Sequence, residues 1–170
     1  SQNENEIAAA AYIAETGRSW YESRKIAQSV FREVAESKYL TKTAKLAPLY
    51  EDVQETLDSL GNKGLKIGIL SADSTKEVKN FVSNHQLQDY IQLCLGSNQE
   101  MSKPNPRLFR QACEALKVAP EQTLMVGDTE VDMAMAKTAK AAGTIGIRRH
   151  QIRLDLADVE IDTLLKIQAL

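Results

Sequence analysis

The feature that most constrains this fold is the alternation of short apolar runs with amphipathic segments after Pro48. Apolar runs that are too short for helices occupy residues 67–70, 90–95, 123–126 and 144–147. Between them, apolar residues recur at helical spacing. Strands separated by helices of about 10–15 residues form parallel sheets that helices cover on both faces. This region is therefore predicted to be α/β, with a parallel sheet between two helical layers.

Helix start signals support this assignment. Ser19 and Glu22, and likewise Ser74 and Glu77, have the spacing of a capping box. Asn105 and Pro106 pair an N-cap residue with a proline at the first helical position. Further helices are predicted from about residue 53 to a stop at 61 or 64, over 131–142, and over 161–167 at the end of the chain. Before Pro48, one helix is predicted over residues 6–14 and a second from the capping box at Ser19 to about residue 38. A linker is predicted over 42–48.

Composition excludes several classes of protein. The 21 Lys and Arg residues nearly balance the 23 Asp and Glu residues, and the Lys and Arg residues are not concentrated in one segment. A nucleic-acid partner is therefore not expected. No apolar run approaches the roughly 18–20 residues that cross a bilayer, so no membrane partner is expected either. Cys94 and Cys113 are isolated in apolar surroundings and are predicted to be buried thiols, which favours a cytoplasmic location.

Parallel sheets bind ligands beyond the carboxyl ends of their strands. Two segments of the sequence place polar residues where that edge is expected. Ser71 and Ala72 follow the first apolar run, where a hydroxyl and backbone N–H groups can hold an anion. Lys103 precedes Pro104, which favours an extended loop from which the ammonium can reach an anion. The ordinary alternatives are a loop without a ligand and a solvated surface lysine.

A pair of carboxylates follows the third apolar run. Asp128 leaves the predicted strand, and Asp132 lies four residues later on the first turn of the next helix. Two carboxylates and water suit Mg²⁺, a hard cation that uses few protein ligands. The alternative is that Asp128 is a cap and that Asp132 complements the helix dipole. Glu130, between them, is interpreted as facing solvent.

The order of these motifs resembles the haloacid dehalogenase-like (HAD) hydrolase superfamily, and most closely its phosphoglycolate phosphatase-type subgroup with a helical cap. The resemblance extends from about residue 48 to 164. It rests on Pro48-Leu49-Tyr50, residues 64–71 ending in Ser71, Lys103-Pro104-x-Pro106-x-x-Phe109, and the stretch from Met125-Val126-Gly127-Asp128-Thr129 to Ala142-Gly143.

The resemblance implies a fold and a set of roles. Residues 46–170 would form a HAD-like Rossmannoid parallel sheet with helices on both faces, and residues 1–45 part of the helical cap. Ser71 and the backbone of Ala72 would hold the phosphoryl group, and Lys103 would neutralise its charge. Asp128 and Asp132 would bind Mg²⁺. The implied activity is a Mg²⁺-dependent phosphatase acting on a small phosphorylated metabolite.

The sequence departs from the family at the nucleophile. In the family this is the first Asp of an Asp-x-Asp-x-Thr motif, which ends the central first strand and forms an aspartyl-phosphate. These 170 residues contain no such motif. We therefore expect a core without its central strand and no activity from this chain alone.

Three explanations for this departure are open. The sequence is a piece of a longer protein whose N-terminal segment completes the sheet. Alternatively, the half-sheets close together or pair with a second copy. The third explanation is a non-catalytic relative that binds a phosphate or a partner. Elsewhere, Asp52 is interpreted as lying inside a helix, and Arg148-Arg149-His150 as a solvated basic triplet.

Overall fold

The structure is a computed structural model that describes residues 2–40, 48–98, 101–149 and 153–169. It divides into two compact units, Ser1–Ala47 and Pro48–Leu170. Across the described ranges, none of the helices combines the length and the hydropathy needed to span a bilayer. The predicted linker over 42–48 lies almost entirely outside the described residues.

The first unit is a pair of packed helices, α1 (Gln2–Ala14) and α2 (Trp20–Leu40). Their buried residues are small: Ala10, Ser23 and Ala27. The predicted capping box at the start of α2 is confirmed. The Ser19 N–H donates to Glu22 Oε2 at 3.1 Å, and the Glu22 N–H donates to Ser19 Oγ at 3.3 Å. These bonds satisfy two backbone donors that the first helical turn leaves unpaired.

The second unit alternates helices and strands as predicted. The elements are α3 (Val53–Asn62), β1 (Ile67–Ser71), α4 (Thr75–Asn84), β2 (Ile91–Gly96), α5 (Pro106–Leu116), a 3₁₀ turn (Pro120–Gln122), β3 (Leu124–Gly127), α6 (Glu130–Ala139), β4 (Gly143–Ile147), β5 (Val159–Ile161) and a C-terminal 3₁₀ helix (Leu164–Ala169). All four predicted strands form, each within about one residue of the expected bounds. The α/β class is confirmed.

The strands form two separate parallel sheets. β1 pairs with β2, and β4 pairs with both β3 and β5. No described strand joins β1 to β3, so each has one edge without a strand partner among the described residues. β4 is buried over residues 144–147, whereas β1 is only partly buried and Gly68 is exposed. The sheet is therefore divided between β1 and β3, where the family resemblance puts its central strand.

The apolar core is continuous on one face of the sheets and divided on the other. On the α5 and α6 side, a single cluster includes Leu70 of β1, Leu95 of β2 and Met125 of β3. On the opposite side, a cluster around Leu57 and Val82 covers β1 and β2. A different cluster around the isoleucines of β4 and β5 covers the other sheet. Among the described residues, one apolar cluster thus joins the two sheets on one face, and each sheet has its own cluster on the other face.

Two predicted helix bounds are wrong. The helix expected over 131–142 ends at Ala139, because Lys140 takes a left-handed conformation (φ 66°) that closes it. The closing helix expected over 161–167 is instead β5 followed by a 3₁₀ helix. Its spacing of isoleucine and leucine suits a helix, but Ile161 pairs with Ile147 at the outer edge of β4. That exposed edge offers backbone hydrogen bonds that no local pattern reveals.

Candidate functional site

Lys103 and Asp132 form a close ion pair at the end of β3. The Lys103 Nζ donates to Asp132 Oδ1 at 2.6 Å, and their side chains are 17% and 4% exposed. Asn105, the N-cap of α5, accepts from the Arg107 N–H and fixes the chain just after the lysine. The peptide bond between Lys103 and Pro104 is cis. The extended loop predicted from Pro104 is wrong, because residues 102–105 form a turn closed by the Asn105 N–H donating to the Ser102 carbonyl at 2.8 Å. The Lys103 ammonium nevertheless reaches a carboxylate.

Thr129 holds the other oxygen of Asp132. Its hydroxyl donates to Asp132 Oδ2 at 2.7 Å, and it caps α6 by accepting from the Asp132 N–H at 3.4 Å. Asp132 also lies on the first turn of α6, where the helix dipole favours a negative charge. Both carboxylate oxygens of Asp132 are therefore engaged, one by an ammonium and one by a hydroxyl.

Gly127 makes room for Asp132. A Cβ at Gly127 would lie 2.6 Å from both Cβ and Oδ2 of Asp132. No real Cβ tolerates that distance, so any side chain here would displace the carboxylate. The glycine of the Gly-Asp-Thr motif is needed because the first turn of α6 folds back against the end of β3.

Asp128 is the free carboxylate of the pair. It is exposed, directly follows β3, and has no hydrogen bond or ion pair with any described residue. No group of three or more metal-ligating side chains occurs in the described part of the chain. Mg²⁺ commonly uses only one or two carboxylates and completes its shell with water and phosphate oxygens. Asp128 suits that donor set, whereas Asp132 would have to release a partner to join it.

Ser71 is the last residue of β1, and several hydrogen bonds hold it and the loop that follows. Its hydroxyl donates to Asp73 Oδ2 at 3.2 Å and accepts from the Asp73 N–H at 3.1 Å. Its carbonyl accepts from the N–H and the hydroxyl of Ser97, both at 3.0 Å. Ser74, three residues after Ser71, caps α4 and completes the predicted capping box with Glu77. Ala72 lies between Ser71 and Asp73 and is exposed.

The predicted site residues thus fall into two groups. Lys103 and Asp132 are in direct contact beside Asp128, and Ser71 and Ala72 belong to the loop after β1. No hydrogen bond or ion pair between described residues joins the two groups. Sequence reasoning gave no role to Thr129 or Asp73. The spacing Thr-x-x-Asp, which is that of a helix cap, was a signal for Thr129. The adjacent Ser-x-Asp, which forms local turns, was a weaker one for Asp73.

A buried ion pair lies near the ends of β4 and β5. Arg149 Nη2 donates to Asp52 Oδ1 at 2.7 Å, and Asp52 is 8% exposed. Thr163 Oγ1 and the Leu164 N–H both donate to Asp52 Oδ2 at 2.8 Å. The hydrogen bond from Arg149, assisted by Leu164 and Thr163, lowers the pKa of Asp52 to about 2 against the opposing effect of burial.

Two interpretations from the sequence are corrected by this network. Asp52 precedes α3 at its N-cap position and does not lie inside the helix. Arg149 is not solvated, since its guanidinium pairs with Asp52 and lies 4.1 Å from the ring centroid of Tyr50. His150 is outside the described residues. Glu130 is partly buried and accepts from the Leu156 N–H, so it does not simply face solvent.

Comparison with known proteins identifies the family. The profile described as haloacid dehalogenase-like hydrolase matches residues 4–145. The chain belongs to this family. The resemblance stated from the motifs is thus confirmed, and so is the HAD-like fold.

Curated relatives of this HAD-like chain include two phosphatases. It is 32% identical over 112 residues to a phosphoglycolate phosphatase from Vibrio vulnificus. The aligned residues are 65% of this chain and 49% of that relative. It is 33% identical over 123 residues to the pyrophosphatase PpaX from Anoxybacillus flavithermus. This match covers 69% of this chain and 55% of that relative. The chain spans about half the length of the curated relatives it matches. Phosphatase relatives support a hydrolase.

Among solved structures, a HAD phosphatase from Thermococcus onnurineus superposes with a TM-score of 0.73 at 22% identity. The match covers 99% of this chain and 86% of that one. This likeness shows the fold.

Proposed function

We propose that this HAD-like chain carries most of the active site of a Mg²⁺-dependent phosphatase for a small phosphorylated metabolite. The observation that carries the proposal is the ion pair between Lys103 and Asp132 beside the free carboxylate of Asp128. The names of the relatives, phosphoglycolate phosphatase and pyrophosphatase, support phosphorylated small molecules as the substrate class. A cytoplasmic location and a cap role for residues 1–45 are part of the same proposal.

Each residue has a role that its surroundings support. The Ser71 hydroxyl and the N–H of Ala72 bind phosphate oxygens at the end of β1. Lys103 offsets the negative charge of the phosphate, which otherwise repels an anionic nucleophile. Asp132 acts on the reaction through Lys103, because its two oxygens hold that ammonium and Thr129. It is therefore a positioning residue, and its contact with a metal would pass through water.

Asp128 is the residue that would hold Mg²⁺ directly. The bound ion would supply charge neutralisation at the phosphate oxygens. The exposed, unpaired carboxylate at the strand end is consistent with that role, since water and phosphate can complete the coordination shell.

The nucleophile is proposed to come from outside these 170 residues. An Asp in an Asp-x-Asp-x-Thr segment would attack phosphorus, the bond to the leaving oxygen would break, and the second Asp would protonate that oxygen. Water would then hydrolyse the aspartyl-phosphate. The division of the sheet between β1 and β3 supports a strand-forming segment that carries this motif as the partner. A second copy of these 170 residues could pair with the open strands but would bring no such nucleophile.

One observation favours a second candidate function. Since the 170 residues lack the nucleophile motif, the chain is also consistent with a non-catalytic module that binds a phosphate or a partner. In that case the retained site residues would serve binding, and no added segment would restore turnover.

A complementation assay tests the proposal. The chain is mixed with a peptide that has an apolar strand followed by Asp-x-Asp-x-Thr, and hydrolysis of a generic phosphomonoester is followed with Mg²⁺. We expect no turnover from the chain alone and turnover from the mixture. Asp128→Asn should abolish that turnover, and Lys103→Ala should lower it at least about 10²-fold.

Three outcomes count against the proposal. Turnover that survives Asp128→Asn contradicts the metal assignment, and a change under about threefold for Lys103→Ala contradicts its role. A peptide that protects the amides of β1 and β3 from hydrogen exchange without producing turnover favours the non-catalytic module. Intact mass under native and denaturing conditions would also show whether a second peptide accompanies the purified chain.

A further inference from the structure

The loop after β1 holds a carboxylate against the hydroxyl that is proposed to bind phosphate. The Ser71 hydroxyl has one proton, and that proton is donated to Asp73 Oδ2 at 3.2 Å. A phosphate oxygen that accepts from Ser71 must therefore take this proton away from Asp73. Phosphate and Asp73 compete for the same donor.

The fold determines where Asp73 lies. Its N–H donates to Ser71 Oγ at 3.1 Å, and its carbonyl accepts from the Ser97 N–H at 2.9 Å. Gly96 lies directly against the loop, since a Cβ there would come within 2.2 Å of the Asp73 carbonyl oxygen. The backbone of Asp73 is thus anchored by β1, by the residue after β2 and by the capped start of α4. The carboxylate therefore extends from a fixed backbone position beside Ser71, and rotating the side chain away breaks the hydrogen bond from the Ser71 hydroxyl.

The charges around the proposed phosphate site are mostly negative. Asp73, Asp128 and Asp132 contribute three carboxylates, and Lys103 contributes one ammonium that Asp132 already binds. Arg149, which also follows the end of a strand, is bound to Asp52. Among the described residues, no Lys or Arg is hydrogen-bonded to Ser71 or paired with Asp73. The Mg²⁺ that Asp128 would hold offsets part of this charge. Asp73, in contrast, has no cationic partner among the described residues, so a second negative group of the substrate near Asp73 meets repulsion.

We infer that Asp73 is a specificity-determining residue that disfavours phosphorylated substrates with a second anionic group. The preferred substrates are phosphate monoesters whose remainder is neutral or cationic. This inference rests on the proposed function, because it takes Ser71 as a phosphate ligand. It separates this chain's substrate class from phosphoglycolate and pyrophosphate, both of which carry additional negative charge.

The test compares three probes by equilibrium binding to the 170-residue chain with Mg²⁺ present: inorganic phosphate, phosphoethanolamine and phosphoglycolate. Asp73→Asn keeps the size of the side chain, removes its charge, and lets an amide donate to Ser71. We expect it to tighten phosphoglycolate about five- to tenfold relative to phosphoethanolamine. This is the effect of two unit charges about 4 Å apart in water. Asp89→Asn is the matched control, because this exposed residue precedes β2 at the opposite edge of the sheet.

The outcomes separate this inference from the proposed function. If Asp73→Asn changes the affinity for all three probes equally, or for none, Asp73 has no role in specificity. If binding still weakens in Lys103→Ala, the proposed phosphate site is unaffected by that result. The same selectivity change in Asp89→Asn overturns the role of Asp73 too, since net charge would then be the cause. Absence of binding for every probe overturns the proposed function together with this inference.

Discussion

The two sheets of the second unit differ in how far their strands are covered. β4 lies between two strands and is buried over 144–147, whereas β1 has one strand partner and is only partly buried. At the start of β3, a strand that also lacks a partner on one edge among the described residues, Leu124 is 52% exposed. The sequences Ile67-Gly-Ile-Leu-Ser71 and Gly143-Thr-Ile-Gly-Ile147 are similarly apolar. Burial here is therefore set by the neighbours of a strand more than by its own composition.

The two faces of these sheets also differ in how they join the halves. On one face, α5 and α6 contribute to an apolar cluster that includes residues of β1, β2 and β3. On the other face, the clusters are separate. There the C-terminal 3₁₀ helix lies against α3, and Asp52, before α3, pairs with Arg149, after β4. One junction is a shared apolar cluster, and the other includes a charged network.

The largest expected effect comes from the shared cluster. Phe109→Ala removes a side chain that is 2% exposed, and should lower the free energy of unfolding by about 3–5 kcal/mol. Because the cluster includes residues of both sheets, their amides should lose hydrogen-exchange protection together. Val82→Ala, in the cluster of β1 and β2 alone, is the control and should affect the first sheet more. Unchanged protection of β3 in Phe109→Ala would contradict a shared core.

The charged junction should matter somewhat less. Asp52→Asn leaves the Arg149 guanidinium without its anionic partner in a mostly buried position, which typically costs about 3 kcal/mol. Asp155→Asn is the control, because its pair with Arg153 is largely exposed and such pairs contribute under about 1 kcal/mol. Chemical denaturation of both variants measures the difference. Similar losses in the two variants would show that burial does not strengthen the Asp52 pair.

The same junction predicts an acid dependence. Asp52 has a pKa of about 2 in the folded chain, against about 3.9 in an unfolded one. Its depressed pKa stabilises the fold fully above about pH 5, and that contribution declines as the pH falls toward 2. The difference in unfolding free energy between wild type and Asp52→Asn should therefore be constant near neutrality and shrink between about pH 4 and 2. A difference that is flat over this range would contradict the ion pair.

Two glycines at the strand ends sharpen the comparison between the sheets. Gly96→Ala would bring a Cβ within 2.2 Å of backbone oxygen, so the loop after β1 must move. Gly127→Ala meets the Asp132 side chain at 2.6 Å, which can rotate at the expense of its contact with Lys103. We expect Gly96→Ala to destabilise by about 3 kcal/mol and Gly127→Ala by about 1–2 kcal/mol. Denaturation curves measure both.

Gly61→Ala provides the smallest effect in this set. This glycine lies in α3, and an added Cβ would make an ordinary contact of 3.7 Å with Tyr90. Alanine should stabilise the helix by about 0.5–1 kcal/mol, because glycine loses more conformational freedom on folding. A loss of stability instead would show that this end of α3 is packed more tightly than the contact implies.

Much of the local structure was predictable from the sequence. Ser19 with Glu22, and Ser74 with Glu77, form capping boxes as expected, and Asn105 caps α5. The four strands predicted from apolar runs all form, and the chain belongs to the family that the motif order indicated. These features are set by residues within a few positions of one another. Their hydrogen bonds and side-chain periodicity can therefore be read directly from the sequence.

Other features were decided only by the tertiary structure. The pairing of Asp52 with Arg149 joins residues 97 positions apart, and neither has a local pattern that identifies the other. Ile161 was predicted to begin a helix because its apolar spacing with Leu164, Leu165 and Ile167 fits one, yet it ends β5 at the edge of β4. The loop that contains Ser71 and Asp73 is held in place by Gly96 at the end of β2 and by Ser97 after it. Contacts between distant segments leave no periodicity in the sequence, so only the folded chain reveals them.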